Sequence, residues 1–250
     1  MIDSHTHLTN EPIFSALPSV LAHASAAGVT AYVVPAYNRE SSLIAAEIAA
    51  SQHNVFFAPG FHPLFIPDSA LPFPDDILLL PHCVAIGEIG LDYSSPDFDR
   101  PRQLYVFNHQ LALAQKHNLP AIIHCRRAFD DLLPLCREFS DVPCVLHSCS
   151  CSHEQVKPFL DLGCYIGFSG VITRARARKV VALAEFVPAD RILTETDSPF
   201  IGTARNKPPT SSPANIPEIV AALAHVKNIP FNQMAELTAR NAIHFFHLPF

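Results

Sequence analysis

The 250-residue chain has no tryptophan, two methionines and eight glycines, and only 16% of its residues are charged. So little glycine excludes collagen-like and Gly-rich low-complexity chains. It also leaves no phosphate-cradling loop: neither GxGxxG nor GxxxxGK[ST] follows any apolar run, which weakens a nucleotide-binding reading. No stretch approaches the ~18 uncharged apolar residues that a membrane-spanning helix needs. The opening Met-Ile-Asp-Ser-His-Thr-His carries a charge and two histidines and does not read as a signal peptide. The seven cysteines form no even-numbered framework and no CxxC…CxxC spacing, so free thiols in a reducing cytoplasm are the expectation. Basic residues are also few, 17 against 23 acidic, for a net charge of −6. That argues against a sequence-independent DNA-coating protein, though not against an enzyme that grips phosphate through metal ions.

What is present is apolar: 49% of the residues, enough for a substantial core. The 23 prolines are scattered and read as loop punctuation. With no internal repeat, charge block or linker, residues 1–250 are expected to form one domain. Short, continuously apolar runs recur at Met1–His5, Ala31–Pro35, Val55–Pro59, Cys83–Gly87, Ala121–His124, Pro143–His147, Cys164–Phe168 and Arg191–Thr196. Runs of this kind suit strands buried on both faces. Helical periodicity fills most intervals: Leu17–Ala27, Glu40–Ser51, Pro101–His117, Ala128–Phe139, His153–Leu162 and Ala175–Phe186. Leu71–Leu80 is Pro-rich and reads as a short helix, and Ile216–Val226 and Phe231–Phe245 follow the last run. Ser152 stands where a helix N-cap is expected. Eight strands alternating with helices over this length predict an α/β protein of TIM-type (β/α)8 barrel form, with a doubly wound open sheet as the alternative.

Ionisable residues gather at one end of the runs. His5 and His7 close the first, and His62 follows the third. Glu88 closes the fourth, with Asp92 beyond it. His124, His147 and Asp197 end or follow the fifth, sixth and eighth. Barrel active sites lie at the C-terminal ends of strands, so these side chains are expected to meet at the mouth. Residues i and i+2 of a strand share a face, which would point His5 and His7 together. Imidazole mixed with carboxylate and lacking thiolate suits Zn, Mn, Fe, Co or Ni. Four histidines, one Glu and one Asp exceed the three protein ligands of a single catalytic zinc. Two ions ~3.5–4 Å apart that share a carboxylate fit better, an arrangement suited to phosphoryl displacement. Asp92 and Tyr93 read equally well as loop residues. Arg126, two residues past His124, faces the same mouth if the strand continues, and its guanidinium matches phosphate. The Arg174, Arg176, Arg178 and Lys179 cluster reads as a solvated helix face, and Arg205 and Lys207 follow the eighth run.

The segments Asp3-Ser-His-Thr-His7, Gly60-Phe-His-Pro63, Ala85-Ile-Gly-Glu-Ile-Gly-Leu-Asp-Tyr93, Ile123-His-Cys-Arg126, Val145-Leu-His147, Gly167-Phe-Ser-Gly170 and Ile192-Leu-Thr-Glu-Thr-Asp-Ser-Pro199 resemble the TatD-type metal-dependent deoxyribonuclease family of the amidohydrolase superfamily. They stand in family order and span nearly the whole chain. The resemblance implies a somewhat distorted barrel with two divalent ions, for which Mg, Mn, Zn or Co would all be reasonable. One ion would be held by His5, His7, Glu88 and Asp197, and the other by Glu88, His124 and His147, with Glu88 as the bridge. The family reads HCF or HGF at the sixth strand; here His147-Ser148-Cys149 has lost the aromatic residue. The family's late Asn-Glu-Pro segment survives only as Asn206-Lys-Pro or Ser211-Ser-Pro.

The resulting expectation is metal-dependent, 3′-to-5′ hydrolysis of DNA. Asp197 would orient and deprotonate water, Glu88 would bridge the ions, and His62 and Arg126 would bind the substrate phosphate. Two alternatives use the same residues or fewer: hydrolysis of another ester or amide such as D-aminoacyl-tRNA, and non-catalytic metal-dependent nucleic-acid binding. A cytoplasmic monomer acting on nucleic acid, with no membrane association, is the default.

Overall fold

The computed structural model describes residues 1–67 and 75–250. Among the described residues, eight parallel strands alternate with helices: β1 (Ile2–Asp3), α1 (Leu17–Ala26), β2 (Ala31–Pro35), α2 (Arg39–Ser51), β3 (Val55–Ala58), α3 (Asp75–Leu78) and β4 (Ile86–Asp92). Then follow α4 (Arg100–His117), β5 (Ala121–Arg126), α5 (Phe129–Glu138), β6 (Cys144–Leu146), α6 (His153–Asp161), β7 (Tyr165–Phe168), α7 (Arg178–Phe186), β8 (Ile192–Thr194), α8 (Ile216–Lys227) and α9 (Phe231–Phe246). The strands form two hydrogen-bonded arcs, β1-β2-β3 and β4 through β8. Backbone hydrogen bonds close both seams. Ser4 N donates to Thr194 O at 3.0 Å, and Phe57 N and Val84 N bind His82 O and Phe57 O at 3.0 Å each. The result is a TIM-type barrel whose ring is irregular between β3 and β4.

Alternation along the strands sorts the core into two compartments. Ile2, Val33, Phe56, Ile122, Val145, Tyr165 and Leu193 fill the barrel interior, and Phe245, Phe246 and Leu248 from the end of α9 pack beneath them. Their neighbours Val34, Phe57, Ile123, Leu146 and Ile166 face outward and pack under the helices. The C-terminal helix thus plugs the end of the barrel where the strands begin, and the other end stays open. Local signals agree with these boundaries. Ser152 caps α6 by accepting a hydrogen bond from Gln155 N, as its position predicts, and Asn38 caps α2 through Ser41 N. All seven cysteines are unpaired.

Three expectations change. The fourth strand does not run over Cys83–Gly87 but over Ile86–Asp92, with a register shift against β5 between Ile86 and Ile89. Residues before it are used at the seam, where Cys83 bridges Phe57, and Glu88 N donates to Ala36 O at 2.6 Å. Glu88 therefore sits inside a strand and not at its end. The α7 helix starts at Arg178, three residues later than Ala175. Of the expected Leu71–Leu80 helix, Asp75–Leu78 is helical and residues 71–74 lie outside the described residues.

The shift in β4 depends on glycine. Gly90 has φ +138°, and a Cβ there would collide with the His124 carbonyl of the adjacent strand. Gly90→Ala should lose more than the about 1–3 kcal/mol typical of overpacking, lowering the melting temperature by about 2–4 °C per kcal/mol. An unchanged melting curve would contradict this close approach.

Candidate metal centre

The centre is assembled from both sides of the β8–β1 seam. β1 ends at Asp3, and the chain bends at Ser4 and His5. His5 and His7 therefore do not converge as i and i+2 of one strand; the bend and the seam aim them. Asp197 N donates to His5 O at 2.9 Å, and His7 N donates to Ser198 O at 2.9 Å. Beneath them, the buried Asp3 accepts hydrogen bonds from Thr196 N (2.9 Å) and Thr196 Oγ1 (2.6 Å), tying the two strand ends together. Burial pushes the Asp3 carboxyl up to about 8, against those hydrogen bonds.

Glu88 stands at the middle. Its Oε2 lies 3.4 Å from His5 Nε2 and 3.6 Å from His7 Nε2. Its Oε1 lies 2.8 Å from both His124 Nδ1 and His147 Nε2. Asp197 Oδ1 completes the first group, 3.2 Å from His7 Nε2 and 3.8 Å from His5 Nε2. The sequence-predicted residues His5, His7, Glu88, His124, His147 and Asp197 thus meet in one place. His62 joins them, its Nε2 3.5 Å from Glu88 Oε1. Arg126 is exposed at the rim of the same cavity.

Two carboxylates given no role from the sequence back the histidines. Asp92 Oδ2 lies 3.0 Å from His124 Nε2, opposite the nitrogen that faces Glu88. Glu195 Oε1 lies 3.6 Å from His147 Nδ1 and accepts a 2.5 Å hydrogen bond from Ser148 N. Carboxylates behind ligating imidazoles fix the ring and raise its basicity. Glu195 fits only because β7 has glycine opposite; a Cβ on Gly167 would collide with its carboxylate. The signal for both was spacing: Asp92 follows Glu88 by four along β4, and Glu195 precedes Asp197 by two. Ser148, in place of the family's usual residue, holds Glu195 through its backbone and contacts Ser169 Oγ through its hydroxyl at 2.8 Å.

Charge and burial decide the protonation states. Burial alone would raise the Glu88 carboxyl, but the imidazoles of His147, His62 and His124 hold it well below the usual range. Burial opposes a charge on His147, yet Glu88 and Glu195 keep its pKa well above 6.5. His124 is likewise raised despite burial, through Asp92 and Glu88. His5 is lowered by burial and by His147. Burial depresses His62 to about 4, so this ring is neutral at pH 7. Its Nδ1 lies 3.1 Å from Leu64 N and accepts that hydrogen bond. A neutral ring accepting at Nδ1 carries its proton on Nε2, so His62 presents a donor to the cavity.

The donor set fits divalent cations. Imidazole nitrogens face each other at 3.1 Å (His5 and His7) and 3.2 Å (His124 and His147), with carboxylate oxygens between them. His5 Nδ1, His7 Nδ1 and His147 Nδ1 are buried with no hydrogen-bond partner among the described residues. His5, His7 and Glu88 bring ligand atoms within 4.8 Å of one another, as do His62, Glu88 and His124, and His5, His147 and Glu195. Nitrogen and oxygen donors without thiolate match Zn, Mn, Co and similar ions. Above them opens a cavity of about 540 Å³ whose walls include Tyr37, Phe65 and Phe200. Phe65 packs on Tyr37 at 5.0 Å and Phe200 on His7 at 5.2 Å between centroids, and both phenylalanines are about half exposed.

The chain matches the family model of TatD-related DNases over residues 2–247. It is 32% identical to the uncharacterized metal-dependent hydrolase YcfH of Escherichia coli, across 99% of this chain and 96% of that one. It is 29% identical to the 3′-5′ ssDNA/RNA exonuclease TatD of Erwinia tasmaniensis, across 99% of this chain and all of that one. The crystal structure of the TatD homologue YjjV from E. coli superposes with a TM-score of 0.90 at 29% identity, covering all of this chain and 98% of that one.

In the metal-free protein the protons held by His147 and His124 must leave before an ion can bind. Apparent metal affinity should therefore rise with pH and fall away in acid. Calorimetric titration with Mn or Zn in buffers of different ionisation enthalpy should show protons released on binding. Heats that do not vary with the buffer would contradict this.

Proposed function

Since the chain belongs to the TatD-related DNase family, we propose that it hydrolyses the phosphodiester bonds of DNA stepwise from the 3′ end. The observation that carries the reading is the division of Glu88, one oxygen toward His5 and His7 and the other toward His124 and His147, on the floor of an open cavity. Two cation positions would share that carboxylate: one built from His5, His7, Glu88 and Asp197, the other from Glu88, His124 and His147. Divalent ions, when bound, supply Lewis acidity that neutralises phosphoryl oxygens and eases the ionisation of water.

The remaining chemistry belongs to the chain. Burial would raise the Asp197 carboxyl, but His7, His5 and His147 hold it below its ordinary value, so it is ionised at neutral pH. Its Oδ1 faces His7, leaving Oδ2 to orient a water and accept its proton. His62 Nε2–H donates to a phosphate oxygen or to the leaving group. Arg126 supplies a planar charged donor at the rim. Phe65 and Phe200 offer exposed rings on which bases stack, which takes the place of the aromatic residue lost beside His147.

The test is cleavage of end-labelled single-stranded DNA with Mg or Mn, with chelator and Asp197→Asn as controls. Stepwise loss of 3′ nucleotides is expected. Chelator should abolish it, and Asp197→Asn should slow it by about 10²–10⁴-fold, the range of general-base catalysis. A retained rate in Asp197→Asn would remove the base from this residue. No cleavage by folded, metal-loaded protein would move the reading to an aminoacyl-tRNA ester. Phe65→Ala should weaken binding of the terminal nucleotides by about 1–3 kcal/mol, as loss of one base stack does, raising KM while leaving kcat nearly unchanged.

A further inference from the structure

The cations of this acidic chain are unevenly placed. Six of its 17 lie in the connections leaving β7 and β8: Arg174, Arg176, Arg178, Lys179, Arg205 and Lys207. Residues 163–184 and 198–217, which contain them, hold no Asp or Glu, while the other 11 cations share the rest of the chain with all 23 acidic residues. All six are exposed, and among the described residues none of them forms an ion pair. Arg178 and Lys179 open α7, whose first turn has no acidic residue. The helix dipole disfavours cations there, so their position brings the fold no stability.

The two connections form one surface. Arg174 donates from its guanidinium to Gly202 O at 2.8 Å, and Ala204 N donates to Thr173 Oγ1 at 2.7 Å. Between them lies a groove of about 660 Å³ lined by Arg174, Thr203 and Lys207. It adjoins the metal centre along the chain. Phe200 lines the catalytic cavity, and Gly202 follows it by two residues. The five Cα–Cα steps from Asp197 to Gly202 span at most ~18 Å even if extended. Hydrogen bonds from Phe200 N and Ile201 N to Asp197 O fold them tighter than that.

We propose that the β7 and β8 connections form a docking track for the sugar-phosphate backbone of a single-stranded polynucleotide whose 3′ end occupies the cavity. The proposal rests on the nuclease reading above and adds to it a site for the part of the strand not being cut. One phosphate needs one or two cations; six unpaired ones spread over two connections match a polyanion. They also give a protein with a net charge of −6 a way to hold DNA: residues 163–184 and 198–217 carry six cations and no acidic residue, a local excess that favours a polyanion even with Glu218, just beyond them, lining a pocket with Arg205.

The test is fluorescence anisotropy of a labelled long oligothymidylate in chelator, where binding is read without cleavage. Affinity should fall steeply between ~50 and ~200 mM salt, with a log–log slope of about −0.7 per phosphate engaged. The triple variant Arg176→Gln, Lys179→Gln, Lys207→Gln should bind at least ~10-fold more weakly, with a slope shallower by about 2, and should keep the melting temperature of the unaltered protein. Arg174 is left in place because it braces Gly202. An unaltered slope and affinity in that variant would overturn the proposal. So would an unaltered protein that ignores oligothymidylate but binds acidic phospholipid vesicles through the same cations. Oligothymidylate that docks through the track yet is never shortened in Mn would uphold the track and sink the nuclease reading.

Discussion

One buried carboxylate sets the terms for everything around it. Glu88 is 4% exposed, and an ionised carboxylate so placed is tolerated only where it is fully paired. It is paired on both oxygens, by imidazoles from the bend after β1 on one side and from β5 and the end of β6 on the other. Those imidazoles then bring their own requirements. His124 leans on Asp92, His147 on Glu195, and His5 and His7 on Asp197. The cluster is a chain of buried charges in which each member justifies the next, and cations at its centre would complete it.

Delivering Glu88 costs the barrel its regularity. The residue enters from within β4, where the strand shifts register against β5 and the chain before it crosses toward β2 and β3. Gly90 permits that path, and Gly167 on β7 clears the space that Glu195 needs. Two of the chain's eight glycines thus serve the site directly. The layers below the site are conventional apolar packing, closed by α9 at the far end. Rigid packing beneath is how a scaffold holds several charged groups at fixed separations.

The electrostatics of the molecule work on two scales. Within the cavity, burial and contact between neighbours decide protonation, leaving His62 neutral with its proton on Nε2 while His147 and His124 hold theirs between carboxylates. Across the surface, net charge says little about how the protein meets an anion, since six cations cluster in two stretches of chain, 163–184 and 198–217, that hold no acidic residue.

The sequence by itself determined the strand–helix alternation, the gathering of His5, His7, His124, His147 and Asp197 near strand ends, and the family pattern. It could do so because burial on both faces writes a continuous apolar run, and because residues that end such runs are neighbours by topology. It misjudged what depends on pairing between strands. The extent of β4, and so the place of Glu88 within it, was set by the seam with β2 and β3. His5 and His7 were aimed by a bend against β8 rather than by strand periodicity. Asp92 acquired its partner only when β5 came alongside, and Glu195 only when the ring brought the end of β6 within reach past Gly167 of β7. The aromatic rim and the junction of the β7 and β8 connections are likewise tertiary. In each case the energy lies in contacts between segments distant along the chain, and local sequence carries no record of which segment will arrive.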